Sequence, residues 1–411
     1  MPTSYAVPGL VMTDHEVEVP LDHGRPDGGR ITVFAREVAH PDGRDRPYLV
    51  YFQGGPGNEA PRPTGLPRIP GWLKRALAEF RVLMLDQRGT GRSTPIGAHL
   101  EGSAQEQADY LACFRADSIV RDAELLREGL GVERWSILGQ SFGGFCVLTY
   151  LSIAPHGLRE AFVTGGLPPI GRPVDDVYSA TYVRVLERNR RYYERFPDDR
   201  GRVREIRRRL DEEDVRLPSG DRLTGRRFRQ IGHSFGMSDG AERVHYVVER
   251  PFGSRAFLHD VEASVHFARD PLYAAIHEAC YADGVATRWS AERLLPDRYA
   301  DEPELLTGEH VYPWMFEDYG GLASLRDAAE LLAEHEWPRL YDAEQLAAND
   351  VPAAAAIYVD DMYVERRFSE ETAAAVRGLR PWITNEYEHN GLRADGSRIL
   401  DRLIDLARGR A

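Results

Sequence analysis

Lysine is almost missing from this chain: of its 52 basic residues only Lys74 is not arginine. That imbalance has the look of coding bias and carries no functional weight. The formal net charge of −13 carries more, because it argues against nucleic acid or an anionic membrane as partner and is compatible with cationic substrates. Cysteine is scarce as well. Cys113, Cys146 and Cys280 are too few and too scattered for a disulfide framework or a zinc cluster, which points to a reducing compartment. The first ten residues lack a basic start and an apolar run, and no stretch approaches the roughly 18 apolar residues of a membrane helix. These absences together read as a soluble cytoplasmic protein. No His-Glu-x-x-His spacing appears, and no Gly-x-Gly-x-x-Gly follows a strand in a nucleotide-binding context, so neither metal nor other cofactor is expected. A Pro/Ser-rich linker is missing too, so the 411 residues fit one core carrying a large insertion as well as they fit two domains.

What is present has clear punctuation. The 42% hydrophobic content is ample for a core. Alternation over Ile31–Val38 predicts antiparallel strands, and the apolar runs at Tyr48–Phe52 and Val82–Leu85 predict buried ones. Further strands are expected at Glu160–Thr164, Val351–Val359 and near Trp382–Tyr387. Between 172 and 345 the chain is rich in charged helical segments, such as Val183–Arg195, and strand runs stop. Strands, then helices, then strands indicate an α/β core at 1–171 and 346–411 with a helical cap at 172–345 inserted between its parts. The charge run within the cap reads as a solvated helix face.

The most informative segment is Gly139-Gln140-Ser141-Phe142-Gly143, which follows an apolar run at Ser136–Leu138 and opens a helix-like stretch. A serine on a sharp strand-to-helix turn presents its hydroxyl to substrate and base together, and glycines two residues either side are needed where a Cβ would collide across the turn. The pentapeptide alone is weak, but its flanks make it a nucleophile elbow with Ser141 as nucleophile. Such a serine needs a base and an acid, in the order Ser, Asp, His. Asp360 and Asp361 both follow the returning strand directly, and His389 is the one histidine after them. Oxyanion donors are expected from the N–H of Phe142 and from Gly54-Gly55 in the glycine-rich loop after the strand at 48–52.

Three segments, Gln53-Gly-Gly-Pro-Gly57, Asp86-Gln-Arg-Gly-Thr-Gly-Arg-Ser93 and Gly139-Gln-Ser-Phe-Gly-Gly144, resemble the prolyl aminopeptidases (proline iminopeptidases) and tricorn-interacting aminopeptidases of the α/β-hydrolase superfamily. Many members have histidine where Gln53 stands here, in a loop that works through backbone donors. The resemblance covers roughly residues 15–170 and 345–400. It implies the α/β-hydrolase fold, a mostly parallel central sheet flanked by helices, and counting from Pro352 it prefers Asp361 as the acid, although the usual glycine is missing from Tyr358-Val-Asp-Asp361.

The same resemblance implies that cap glutamates bind the free ammonium group of a short peptide. Glu278, in Ala275-Ile-His-Glu-Ala-Cys-Tyr281, matches the glutamate-bearing stretch of the family. Glu309 is a second candidate, beside Tyr312 and Trp314 as a proline-ring pocket would require, and Glu317 a third. The expected activity is release of an N-terminal residue, preferably proline, through an acyl-enzyme. An esterase or amidase acting on a small metabolite is the alternative, since the core does not distinguish ester from peptide. A catalytically dead binding module is a more distant one, disfavoured because all three triad residue types occur in order.

Overall fold

The parallel strands form because short apolar runs, covered on both faces, must bury every side chain. The computed structural model describes residues 3–411 apart from 67, 98–99 and 265–266. Among these, nine strands make one sheet: β1 (Thr3–Val7), β2 (Leu10–Pro20), β3 (Arg30–Ala39), β4 (Tyr48–Phe52), β5 (Arg81–Leu85), β6 (Trp135–Gln140), β7 (Leu158–Thr164), β8 (Ala353–Tyr358) and β9 (Leu379–Thr384). Their spatial order is β1-β2-β3-β5-β4-β6-β7-β8-β9. The pairs from β1 to β3 and the β3–β5 pair are antiparallel, whereas β5, β4, β6, β7, β8 and β9 run parallel. This is the α/β-hydrolase arrangement the sequence led us to expect.

Strand alternation divides the core into two layers. Tyr48, Val50 and Phe52 of β4 face one apolar cluster while Leu49 and Tyr51 face the other, and the four alanines of β8 alternate in the same way. Alanine is a poor strand former, but here its small side chains let the helix Gly391–Ala407 pack closely on one face through Ile399, Leu400, Leu403 and Ile404. The opposite cluster runs without interruption from Trp135 and Ile137 into the helical stretch between β7 and β8, where it takes in Tyr182, Phe228, Phe257 and Leu322. The sheet and the helices between β7 and β8 therefore share one continuous apolar cluster.

The last strand lies three residues earlier than the apolar pattern predicts, at Leu379–Thr384, and includes Pro381. A proline is tolerated there because β9 is the sheet's edge and pairs only with β8. The exposed β1, also an edge strand, has no apolar run to announce it.

The charge run Val183–Arg195 belongs to the helix Val174–Arg195, and part of it departs from a purely solvated face. Arg184 forks onto Glu365 at 2.6 and 2.8 Å, Arg188 pairs with Glu388, and Arg191 reaches Asp360 at 3.0 Å. Those three arginines lie one helical turn or so apart, so one face of the helix latches onto the two loops after β8 and β9.

The Asp86-Gln-Arg motif after β5 holds loops together. Asp86, fully buried, accepts from Arg62 at 2.7 Å and from the backbone N–H of Ala60 and Arg92 at 3.2 and 2.9 Å. Gln87 donates to the Gln53 carbonyl at 2.9 Å. Arg88, also buried, grips Asp122 through two bonds of 2.6 and 2.7 Å and donates to the carbonyls of Pro20, Leu21 and Cys113. Removing one partner strands the other charge without water. Arg88→Ala is expected to cost about 3–5 kcal/mol in a urea unfolding experiment; a loss below about 1 kcal/mol would show that Arg88 is no brace.

Candidate active site

At the end of β6 the chain turns through Ser141, whose backbone lies at φ 55°, ψ −125°, and enters the helix Phe142–Ile153. A non-glycine residue held there costs on the order of 1–3 kcal/mol and persists only because its surroundings impose it. The surroundings are tight. A β-carbon at Gly143 would sit 2.0 Å from the Phe52 carbonyl oxygen, and one at Gly139 2.2 Å from that of Gly143, so neither position accepts a larger residue. The Ser141 amide donates to the Thr164 carbonyl at 3.0 Å, tying the turn to the end of β7.

Neighbouring loops close on the serine from two sides. A β-carbon at Gly54 would lie 2.9 Å from Ser141 Cβ, which brings the Gly54-Gly55 segment against the serine. On the other side stands the doublet Gly165-Gly166. Gly166 abuts the Ser141 carbonyl and Gly165 abuts the His389 imidazole, so serine and histidine are brought to adjacent residues of one loop. The N–H of Phe142 is at the start of the elbow helix, where no helix carbonyl can take it, and the dipole adds positive character. The start of the elbow helix and the Gly54-Gly55 segment thus both lie against Ser141.

His389 and Asp361 are buried, 4% and 1% exposed, with Nδ1 to Oδ2 at 2.7 Å. The other Asp361 oxygen accepts the backbone N–H of Tyr363 and Val364 at 2.9 and 3.0 Å. Asp360, by contrast, faces outward to Arg191. Burial pulls the His389 imidazole down, but the Asp361 charge and hydrogen bond, with Glu309 beyond, outweigh it and hold the group above its ordinary value. Tyr363 closes one face of the ring edge-on, with centroids 4.7 Å apart.

Glu309 comes from the long helical stretch between β7 and β8. Its Oε1 accepts the Tyr273 hydroxyl at 2.5 Å and lies 3.7 Å from His233 Nε2, and its carboxyl is within electrostatic reach of His389 and Asp361. Burial pushes this carboxyl up to about 7, against the Tyr273 hydrogen bond. His233 is driven down to about 4 by burial and by repulsion from His389, so it stands neutral. Tyr273 also packs on the oxyanion loop, since a β-carbon at Gly57 would meet its amide nitrogen at 2.6 Å.

Glu278 is placed differently. Its carboxylate oxygens accept the N–H of Ser290 and Ala291 at 3.1 and 2.8 Å, holding the start of the short helix Ser290–Arg293. Tyr312 and Trp314 stack on each other at 5.5 Å, the first bonded to the Tyr182 hydroxyl at 3.0 Å and the second beneath the Arg226 guanidinium. Glu317 pairs outward with Arg226. The rings that meet Glu309 and His389 are instead Tyr273 and Tyr363.

A proline iminopeptidase of Aeromonas sobria is 49% identical over 99% of this chain and 99% of its own length. The chain belongs to the proline iminopeptidase family. The proline iminopeptidase aneH of Aspergillus aculeatus is 36% identical over 99% of the chain and 96% of its own. A probable proline iminopeptidase of Streptomyces coelicolor matches at 34% identity over 36% of this chain and 41% of its own. The family profile of the alpha/beta hydrolase fold matches residues 47–236.

Sequence reasoning in this family member passed over Gly165-Gly166, His233, Tyr273 and Tyr363. Only the glycine doublet had a local signal, standing directly after the apolar run of β7. The other three reach the site through the cap and the acid loop, across separations that no local pattern encodes.

Proposed function

We propose that this protein is a serine aminopeptidase that releases an N-terminal residue, preferably proline, from short peptides. The observation that carries the reading is the largely sequestered Glu309 carboxyl, within electrostatic reach of the paired His389 and Asp361. His389 takes the Ser141 proton as the hydroxyl oxygen attacks the carbonyl of the first residue, and Asp361 orients the imidazole. The N–H groups of Phe142 and Gly54-Gly55 stabilise the oxyanion. The carbon–nitrogen bond then breaks, His389 passes its proton to the departing amine, and water activated by the same imidazole hydrolyses the acyl-enzyme.

Glu309 positions the substrate. Tyr273 occupies Oε1, and Oε2 has no hydrogen-bond partner among the described residues, so the free ammonium of a peptide has an acceptor there. Burying that cation without a carboxylate would be costly. Because the empty carboxyl rests at about 7, binding a cationic amine favours its ionised form and releases protons near neutrality. Residues 172–345 act as the cap that selects substrate. The three free cysteines fit a reducing compartment, and we assign the protein to the cytoplasm. Among the described residues no helix is long and apolar enough to cross a membrane.

Proline 2-naphthylamide tests the reading against its N-acetylated form and an alanine analogue, with Ser141→Ala as blank. Cleavage of the free-amine proline substrate, with the acetylated form inert, is expected. Cleavage of a p-nitrophenyl ester alone would sink the aminopeptidase assignment and leave a hydrolase. Glu309→Gln is expected to lower kcat/KM on the amine substrate roughly 10²- to 10³-fold, as loss of one buried charge partner does, and to affect the ester far less. Equal losses on both would remove Glu309 from ammonium binding.

A further inference from the structure

A cavity of about 390 Å³ borders His389 without including Glu309, Tyr273 or His233 in its wall, and the chemistry described above leaves it without an occupant. Its wall includes His389 itself, Gln140 and Gln53, which immediately precede the nucleophile and the oxyanion loop, together with Trp72, Met237 and Leu392. Most of the remaining wall is apolar. Tyr51 and Trp72 stack at 4.6 Å between centroids, and the Tyr51 hydroxyl donates to Gln53 Oε1 at 2.9 Å, which fixes that amide. Met237 comes from the cap, whose neighbouring Ser238 is bonded to Asn390 at 2.8 Å, so cap and core both shape the space.

Proton transfer decides what belongs there. The departing amine must receive its proton from His389, so whatever is attached to the nitrogen of the scissile bond must lie against that imidazole. With the ammonium end of the peptide held at Glu309, the chain beyond the bond needs a separate space bordering histidine, elbow and oxyanion loop together. This cavity borders all three.

We propose, resting on the aminopeptidase reading, that this cavity is the leaving-group subsite and takes a large apolar side chain on the second residue of the peptide. Arg393, which also lines it, is mostly exposed and only loosely paired with Asp239 at 3.8 Å. It is free to receive the terminal carboxylate of a dipeptide at the solvent side. The second residue therefore sets specificity through shape and through one cation.

The test compares kcat/KM for Pro-Phe, Pro-Gly, Pro-Phe amide and prolinamide, whose leaving ammonia does not enter the subsite. The wild-type protein is expected to prefer Pro-Phe to Pro-Gly by at least about tenfold, the usual scale for filling an apolar pocket. Met237→Glu is expected to lower the Pro-Phe to prolinamide ratio at least about tenfold. Arg393→Ala, at an exposed position that does not threaten folding, is expected to weaken Pro-Phe severalfold relative to Pro-Phe amide. Equal turnover of Pro-Phe and Pro-Gly, with both variants leaving their ratios unmoved, would overturn the subsite. Failure to cleave prolinamide at all would instead overturn the aminopeptidase reading, and the subsite with it.

Discussion

Ser141→Ala is expected to lower kcat by roughly 10⁴- to 10⁶-fold while leaving the fold intact, because the triad works as a unit and its removal leaves only binding and the oxyanion donors. The substitution deletes the hydroxyl and keeps a Cβ, so the strained backbone at φ 55° and the Thr164 hydrogen bond survive. Far-UV circular dichroism and the thermal midpoint of the variant should match the parent. A fluorophosphonate probe should label the parent on one site and the variant on none. Retention of more than a hundredth of the parental kcat would mean that another group is the nucleophile.

Asp361→Asn is expected to cost roughly 10⁴-fold in kcat, since an amide can hold the imidazole in the wrong tautomer and does not stabilise the imidazolium. The two backbone donors from Tyr363 and Val364 remain available to the Asn oxygen, which limits the structural damage. The pH profile carries a further sign. In the parent His389 is held above its ordinary value, so activity should be complete only at pH above that raised pKa and fall as the imidazole is protonated below it. Without the Asp361 charge, burial is no longer overcome and the acid limb of kcat/KM should move to lower pH. A limb that stayed put, or rose, would show that the aspartate does not govern the histidine. Asp360→Asn should leave both rate and limb near the parent, because that side chain points to Arg191.

Residues whose role depends on near neighbours in the chain were readable without coordinates. The elbow is the clearest instance, because the collision that excludes a Cβ at Gly139 comes from Gly143, four residues on. The strands at Tyr48–Phe52 and Ala353–Tyr358 also declare themselves, since burial on both faces needs an unbroken apolar run. The last strand begins at Leu379 and not near Trp382, and it accommodates Pro381 because it is an edge of the sheet.

The sequence by itself determined the layered α/β core and the glycine-flanked turn at Ser141, because apolar periodicity and glycine spacing are local consequences of burial and sterics. Which of Asp360 and Asp361 meets His389 came from the tertiary structure alone, where one residue's shift turns a carboxylate from Arg191 to His389. Tertiary contacts likewise gave Glu278 to a helix start and Glu309 to Tyr273 and the neighbourhood of the triad. They also turned part of a charged helix face into a latch on the loops after β8 and β9. Each of these outcomes rests on partners that folding brings together from distant stretches of chain, and the direction in which a carboxylate or guanidinium points depends on what is packed against it.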